Sequence, residues 1–403
     1  MTTRPLHAVL LPPAEAAGRM LEALAAALDG TGPAILPLDP GLPGPRLTAL
    51  IEAFAPSVIE SSDGPERNTG ASPGGDAAGG VAPDTAVVVA TSGSTGEPKG
   101  TELSAAALLA SARASLRRIG ASEGERWLCC LPAFHIAGIQ VLVRSLLAGA
   151  EPVVVTRPEP GTLTASGCAH VSMVPTQLRR LVEAGDDLTA VATILLGGAA
   201  PGVGLVDAAR AAGAPVVTTY GMSETCGGCV YDGVPLDGVS VDIAAGGRIR
   251  IAGPVLFSGY RLRPDLSAAA RDGRWFVTSD LGAFGSSGEL LVRGRADDVI
   301  NTGGEKVVAA EVEAVLGSCA GVREAAVVGR PDPEWGEVVT AVVVPADPSA
   351  PPLLADVRAH VRVRLPGYAA PAALVLMPEL PMLPSGKPDK AALRARVAAV
   401  TRL

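Results

Sequence analysis

Lysine is almost missing from this chain. Of its 33 basic residues 29 are arginine, and the four lysines stand at positions 99, 306, 387 and 390. Where arginine is used nearly everywhere, a retained lysine points to a place that wants a compact, flexible point charge rather than a planar fork. Excess positive charge is missing too: a net charge of −8 and a pI near 5.2 exclude the basic footprint of a nucleic-acid binder. No apolar run reaches the roughly 20 residues that a membrane helix needs. The apolar stretch 8–11 is stopped by Pro12-Pro13, too soon for the core of a secretory signal, so the expectation is a cytoplasmic protein. Cysteine is sparse, with six residues at 129, 130, 168, 226, 229 and 319. Cys226-Gly-Gly-Cys229 has metal-like spacing, but no second pair or paired histidine accompanies it. Small residues packed in a reduced protein is the favoured reading, with zinc or redox use as the alternative.

What is present describes a globular chain. Its 403 residues are 48% hydrophobic and 18% charged, enough for two or three domains with a large core. An Ala/Leu-rich amphipathic helix is expected over 14–29 and a shorter one over 46–55. Residues 61–84 are rich in Gly, Pro and Ser, lack periodicity and read as a flexible surface loop. From 85 to about 245 strand-like runs (86–90, 127–131, 152–155, 170–174, 192–196 and 215–219) alternate with helical ones, which implies βαβ units and a mainly parallel sheet. Short glycine-split strands over 247–293 suit a small antiparallel β unit. Beyond "GRADDVINTGGEKV", helices at 309–317 and 353–365 and strands near 323–329, 337–344 and 373–377 form a compact α+β tail. The expected class is therefore α/β, with a large N-terminal domain over 1–296, a small C-terminal domain over 297–403 and the boundary near Asp297.

The segment "TSGSTGEPKG" (91–100) concentrates hydroxyls and glycines beside one ammonium, supplied by Thr91, Ser92, Gly93, Ser94, Thr95, Gly96 and Lys99. It follows the β-branched run 86–90. Glycine lets a backbone close around an oxyanion, so the segment reads as a phosphate cradle. It is not a Walker A loop, because Pro98 stands where the second glycine should be. A solvated Ser/Gly turn is the alternative. Further chemistry-bearing stretches follow in order: "TTYGMSET" (218–225) with Tyr220 and Glu224, "TSDLG" (278–282) with Asp280, "GRADD" with Arg295 and Asp297, and "LPSGKPDK" with Lys387. Each alone is a weak signal, because a lone surface Asp or an exposed loop Lys is usually just solvated.

The helix "IAGIQVLVRSLLAGA" (136–150) is apolar except for Gln140, Arg144 and Ser145, and Gln140 and Arg144 share one face. A buried guanidinium requires an anionic partner. Glu151, Asp186, a snorkelled head in water or an anionic ligand each satisfy that requirement. His135, just before this helix, is either a structural strand-end residue or part of a ligand pocket.

Taken together and in this order, the stretches resemble the acyl-adenylate-forming (ANL) superfamily of acyl-CoA synthetases, nonribosomal-peptide adenylation domains and luciferases. The likeness covers residues 85–390, and the region before the phosphate loop is shorter than in most members. Within the superfamily the chain is similar to the 2-succinylbenzoate–CoA ligase family of menaquinone biosynthesis in its compact actinobacterial form. The segments carrying this are "LPAFHIAGIQVLVRSLLAGAEPVVV" (131–155), "VSMVPTQLRRL" (171–181) and "TTYGMSETCGGCVYDGVPLDGV" (218–239).

The resemblance implies an enzyme that joins an acid to coenzyme A in two steps through an acyl-adenylate, using ATP and Mg²⁺. It implies that Thr91 to Lys99 hold the β- and γ-phosphates, that Glu224 holds magnesium and that Ser223 meets the α-phosphate. Tyr220, with Gly221 and Met222, would stack on adenine while Gly197, Gly198 and Ala199 line its edge. Asp280 would bind ribose, with Arg295 beside it. His135, Gln140 and Arg144 would form the acyl site, Asp297 the hinge, and Gly303 and Gly304 the border of the pantetheine path. Lys387 would bridge the attacking carboxylate and the α-phosphate. The alternatives are a ligase for another aryl or medium-chain acid, an enzyme loading a carrier protein, and a non-catalytic nucleotide-binding regulator. No "GxDS" attachment site follows residue 390, and the four charged residues Lys99, Glu224, Asp280 and Lys387 together disfavour a mere binder. The expected partners are ATP, CoA and a small carboxylic acid; a homodimer is left open.

Overall fold

The computed structural model describes residues 3–11, 13–68, 80–92, 97–202, 204–382 and 388–400. The chain divides into two compact units. One comprises Met1–Gly198, Ala209–Asp242 and Arg250–Val277, and the other Ala199–Ala208, Ile243–Ile249 and Thr278–Leu403.

Two sheets lie wholly within the first unit among the described residues. In the first sheet, Arg4–Val9 pairs in parallel with Ala34–Pro37 and Val58–Ser61, and Ala34–Pro37 in turn with Thr85–Ser92. Antiparallel strands complete it, so this sheet is mixed rather than mainly parallel. The helix Pro13–Asp29 forms where expected; Met20, Leu24 and Ala27 fall on one face and are buried. Gly44–Phe54 buries Leu50 and Phe54.

Two expectations need correction here. The loop foreseen at 61–84 contains structure: Gly64–Arg67 folds back on Val58–Ser61 through Ser62-Asp63, and Gly80–Val81 adds to Arg4–Val9. Its Asp-Gly step is a hairpin signal that the surrounding low-complexity composition concealed; Gly64 has φ 111°. Second, the strand Thr85–Ser92 does not open a βαβ unit. It returns as the antiparallel strand Pro98–Ser104 before any helix begins.

The second sheet is the predicted parallel one. Trp127–Cys129 pairs with Val153–Val154 and His170–Met173, followed by Thr193–Leu196 and Val216–Met222, all parallel. Gly227–Tyr231 and Val234–Pro235 close one edge antiparallel. These strands are near-continuous apolar runs, as expected where helices cover a parallel sheet. The helices Ala105–Ile119 and Ile136–Ala148 share one core with Trp127, Cys129, Leu195 and Tyr231. Ser104 caps the first of them by accepting the Ala107 N–H at 3.1 Å, and Gly120 ends it in the left-handed conformation.

In the other unit, Gly336–Pro345 is the central strand, flanked by Val322–Asp332, Val299–Thr302 and the parallel Ala373–Leu376. The helices Ala309–Leu316 and Leu354–Arg362 pack their apolar faces on it, with Val312, Leu316, Val357 and Val361 all at 0% exposure. The foreseen helices and strands of the tail are all present. The hairpin Val299–Thr302/Glu305–Val308 and the helix Lys390–Val400 were not foreseen.

Candidate active site

Thr91 faces Lys99 across an antiparallel ladder and donates its hydroxyl to the Lys99 carbonyl at 3.2 Å. The strands on either side of the phosphate-loop stretch thus pair antiparallel with each other, while Gly93, Ser94, Thr95 and Gly96 lie outside the described residues. The Lys99 ammonium sits 5.4 Å from the centroid of the Tyr260 ring. The Tyr260 hydroxyl donates to Glu224 Oε1 at 2.8 Å. One phenol therefore stands between the cation of the glycine-rich segment and the carboxylate of "TTYGMSET". Burial, and then the Glu224 charge, push the Tyr260 phenol far above its ordinary value, so it stays a donor. Sequence reasoning missed Tyr260. Its strand, Gly259–Tyr260, pairs antiparallel with Pro98–Ser104, and Arg261 locks the register from behind. Arg261 is 3% exposed and donates to the carbonyls of Phe54 at 2.6 Å and Gly80 at 2.9 Å, with the Glu102 carboxylate at 3.5 Å.

Glu224 lies in the short 3-10 turn Ser223–Thr225 that follows Val216–Met222. The turn is held by Thr225 Oγ1, which accepts the Met222 N–H at 2.9 Å and donates to the Gly227 carbonyl at 2.8 Å. The Glu224 carbonyl accepts the Phe257 N–H at 2.9 Å. Gly221 is required by close approach: a Cβ there would lie 2.0 Å from the Gly227 carbonyl oxygen. Tyr220, half-buried, pairs with Val230. Gly197 and Gly198 follow the neighbouring parallel strand Thr193–Leu196, so they and Tyr220–Glu224 sit at adjacent carboxyl ends. Open α/β sheets bind ligands at such ends.

His135 is the N-cap residue of Ile136–Ala148, its ring edge-on to Phe134 at 4.8 Å. Gly138 lets this helix start hard against the preceding chain, since a Cβ would lie 2.2 Å from the Pro132 carbonyl. Gln140 is buried, donates to the Leu108 carbonyl at 3.3 Å, and leaves Oε1 without a partner. Arg144 is 5% exposed. It donates to Ser172 Oγ at 3.0 Å and Ser115 Oγ at 3.4 Å, and its guanidinium lies 4.3 Å over the Trp127 ring. Burial lowers its pKa, with Tyr231 and Cys129 pulling the other way. Neither proposed protein partner reaches it: Asp186 accepts the Gly161 N–H at 2.8 Å, Glu151 is exposed, and no carboxylate among the described residues pairs with Arg144. Arg144 stands about 13 Å along the helix from His135, and helical side chains lean toward the N-terminus.

The remaining candidates lie in the other unit. Asp280 pairs with Arg295 across an antiparallel ladder, their charged groups 3.9 Å apart, and Arg295 also donates to Asp297 at 2.9 Å. Gly303 and Gly304 form the turn of the Val299–Thr302/Glu305–Val308 hairpin with φ 59° and 85°. Trp335, 51% exposed, lies against Gly303 and accepts its N–H through the backbone carbonyl at 2.9 Å. Ala199 begins a separate short segment of the same unit. Lysine as a site marker fails at Lys390: its ammonium pairs with Glu313 and donates to the Val327 carbonyl at 2.8 Å, which fastens the last helix. Lys387 lies outside the described residues. All six cysteines are free and buried, and burial pushes the Cys229 thiol up to about 12. Both Cys226 and Cys229 are at 0% exposure, as small packed residues should be.

Comparison with known proteins places these geometries in context. The family described as "AMP-binding enzyme" matches residues 55–261, and the "AMP-binding enzyme C-terminal domain" matches 311–387. A "Probable 2-succinylbenzoate--CoA ligase" of Mycobacterium tuberculosis is 46% identical over 329 residues, covering 78% of this chain and 85% of that protein. Among solved structures, o-succinylbenzoate CoA synthetase from Bacillus subtilis in complex with the acyl-adenylate intermediate is 28% identical, with a TM-score of 0.83 over 98% of this chain and 89% of that one. The same Bacillus enzyme in complex with ATP and magnesium ion is 27% identical with a TM-score of 0.82, covering 98% and 90%. Matched by the family over more than half of its length and by its C-terminal domain beyond, and 46% identical to the mycobacterial relative, the chain belongs to the AMP-binding enzyme family.

Proposed function

We propose that this chain is an AMP-forming acid–CoA ligase that converts 2-succinylbenzoate, ATP and CoA into 2-succinylbenzoyl-CoA, AMP and diphosphate, in the cytoplasm and for menaquinone biosynthesis. The observation that carries the acid is Arg144, a buried guanidinium with no carboxylate partner among the described residues, on the helix that His135 opens. The 46% identity to the mycobacterial relative supports the same acid. 2-Succinylbenzoate carries two carboxylates. One is consumed at the phosphate, and the aromatic one remains for the protein to bind.

In the first half-reaction a carboxylate oxygen attacks the α-phosphorus of ATP and diphosphate leaves. Negative charges approach one another, so the site must supply cations and oriented donors. Lys99 and the backbone of the glycine-rich turn meet the leaving phosphates, Ser223 the α-phosphate, and Tyr220 with Gly197, Gly198 and Ala199 the adenine. Asp280 accepts the ribose hydroxyls beside Arg295. A magnesium ion fits Glu224. Among the described residues no cluster of three metal-ligating side chains exists, and Mg²⁺ takes one or two carboxylates together with phosphate oxygens. Bound there, it would neutralise phosphate charge. Tyr260 orients that carboxylate by donating to one of its oxygens. In the second half-reaction the CoA thiol displaces AMP, after a rotation at Asp297 that withdraws Lys387 and brings Gly303-Gly304 to the pantetheine.

AMP release from ATP across a panel of acids, with and without CoA, tests the reading. CoA-dependent AMP release that is fastest with 2-succinylbenzoate is the expected result. Release favouring another acid removes the named substrate, and none with any acid removes the ligase.

Two variants probe the parts. Tyr260→Phe removes a hydrogen bond to a charged group, worth about 1.5–3 kcal/mol, and should raise the Mg²⁺ concentration needed for diphosphate exchange by about 10- to 100-fold. An unchanged Mg²⁺ titration would leave Tyr260 a packing residue only. Asp297→Pro fixes φ near about −65° and should trap one domain orientation, so that diphosphate exchange survives better than thioester formation. Equal loss of both, in a protein that melts normally, removes Asp297 as the hinge.

A further inference from the structure

Four elements of the first unit converge on the Arg144 guanidinium, and each offers it a neutral group. Ser115 comes from the helix Ala105–Ile119, Ser172 from the strand His170–Met173, Trp127 from Trp127–Cys129 and Tyr231 from Gly227–Tyr231. Ser172 Oγ accepts one N–H at 3.0 Å, and Ser115 Oγ accepts another at 3.4 Å while sharing a 2.7 Å hydrogen bond with the Tyr231 hydroxyl. The Trp127 indole covers one face of the guanidinium at 4.3 Å. These groups are nearly sealed from solvent: Trp127 is 0%, Ser115 1%, Tyr231 2% and Ser172 6% exposed.

An arginine in a protein interior stays charged and has five N–H donors in a rigid fork. Two serine hydroxyls and an indole face fix where the fork points without cancelling its charge. A protein carboxylate in either serine's place would take the fork in a bidentate pair and neutralise it. Arg144 Nε has no partner, so donor capacity remains as well as charge.

We infer that Ser115, Ser172 and Trp127 are positioning residues that hold Arg144 oriented but uncompensated, and that their neutrality restricts the enzyme to acids carrying a second carboxylate. This rests on the proposed role of Arg144 in binding the acid. It makes acid selection a property of a shell that never touches substrate. The charge left over by the fold is filled by the diacid and by nothing in a monoacid.

The test compares KM for 2-succinylbenzoate with KM for its analogue lacking the ring carboxylate, using the full chain and ATP in excess. Ser172→Asp supplies an internal carboxylate. It is expected to raise KM for the diacid at least tenfold, to leave KM for the analogue unchanged or lower, and to leave KM for ATP unchanged. Ser172→Ala frees one arm of the fork and should raise the diacid KM several-fold with kcat little altered, while Ser172→Thr, which keeps the hydroxyl, should restore it. Ser172→Ala also carries the test if the aspartate variant does not fold. Should Arg144→Ala collapse the diacid preference while folded Ser172→Asp and Ser172→Ala keep the wild-type ratio, the positioning inference is overturned and the substrate reading stands. A ratio untouched by Arg144→Ala overturns both.

Discussion

Lys387→Ala is expected to abolish adenylate formation while leaving thioester formation from preformed acyl-adenylate largely intact. The proposed role of Lys387 is to bridge the attacking carboxylate and the α-phosphate, where charge grows only as the bond forms. A point charge placed there stabilises the transition state more than the bound substrates and so acts on the rate. Removing one preorganised donor of this kind costs about 10²–10³ in rate or more. The nearest described residues before and after Lys387 are held by the fold. Met382 and Pro388 form an antiparallel bridge, Asp389 donates its N–H to the Pro381 carbonyl at 2.8 Å, and Lys390 is fastened to Glu313 and the Val327 carbonyl. Diphosphate exchange should therefore vanish while acyl-CoA still forms from supplied acyl-adenylate. If the second step fails equally, the two half-reactions share the lysine and the alternation scheme is wrong.

Arg144→Ala should raise KM for 2-succinylbenzoate by the equivalent of about 2–5 kcal/mol, the range for truncating one partner of a buried charge pair. That corresponds to a factor of roughly 30 to several thousand. KM for ATP should change little. The analogue without the ring carboxylate should react poorly with the wild-type enzyme and be nearly indifferent to the substitution. Arg144 also packs on Trp127, so a thermal melt must accompany the kinetics. Wild-type enzyme that accepts the analogue as readily as the diacid would make Arg144 structural and remove the named acid.

Fold class could be read from the chain alone because its signals are local, and the reaction type followed from the family resemblance that contiguous motifs carry. The parallel strands are contiguous apolar runs between helical periods, and "TSGSTGEPKG" and "TTYGMSET" are contiguous stretches of glycines, hydroxyls and single charges. What escaped was of two kinds. Low-complexity composition hid the hairpin after Ser61, and the short return from Ser92 to Pro98 replaced a crossover that periodicity alone could not reject. Tyr260 carried no motif within its own neighbourhood; its meaning comes from a hydrogen bond to a residue 36 positions earlier.

Charge shows the division most clearly. The sequence marked Arg144 as a cation on an apolar helix and Lys390 as one of four rare lysines, without saying whether either was already satisfied. Tertiary structure decided both. Folding brought Glu313 to Lys390 from 77 residues away, making it a fastener, and brought to Arg144 hydroxyls and an indole but no carboxylate among the described residues. Residue type and spacing determine which side chains carry charge and which face of an element they share. Whether that charge is spent inside the protein depends on which distant groups the packed sheets and helices bring within a few ångströms, because Coulomb and hydrogen-bond energies fall with distance in space and take no account of distance along the chain.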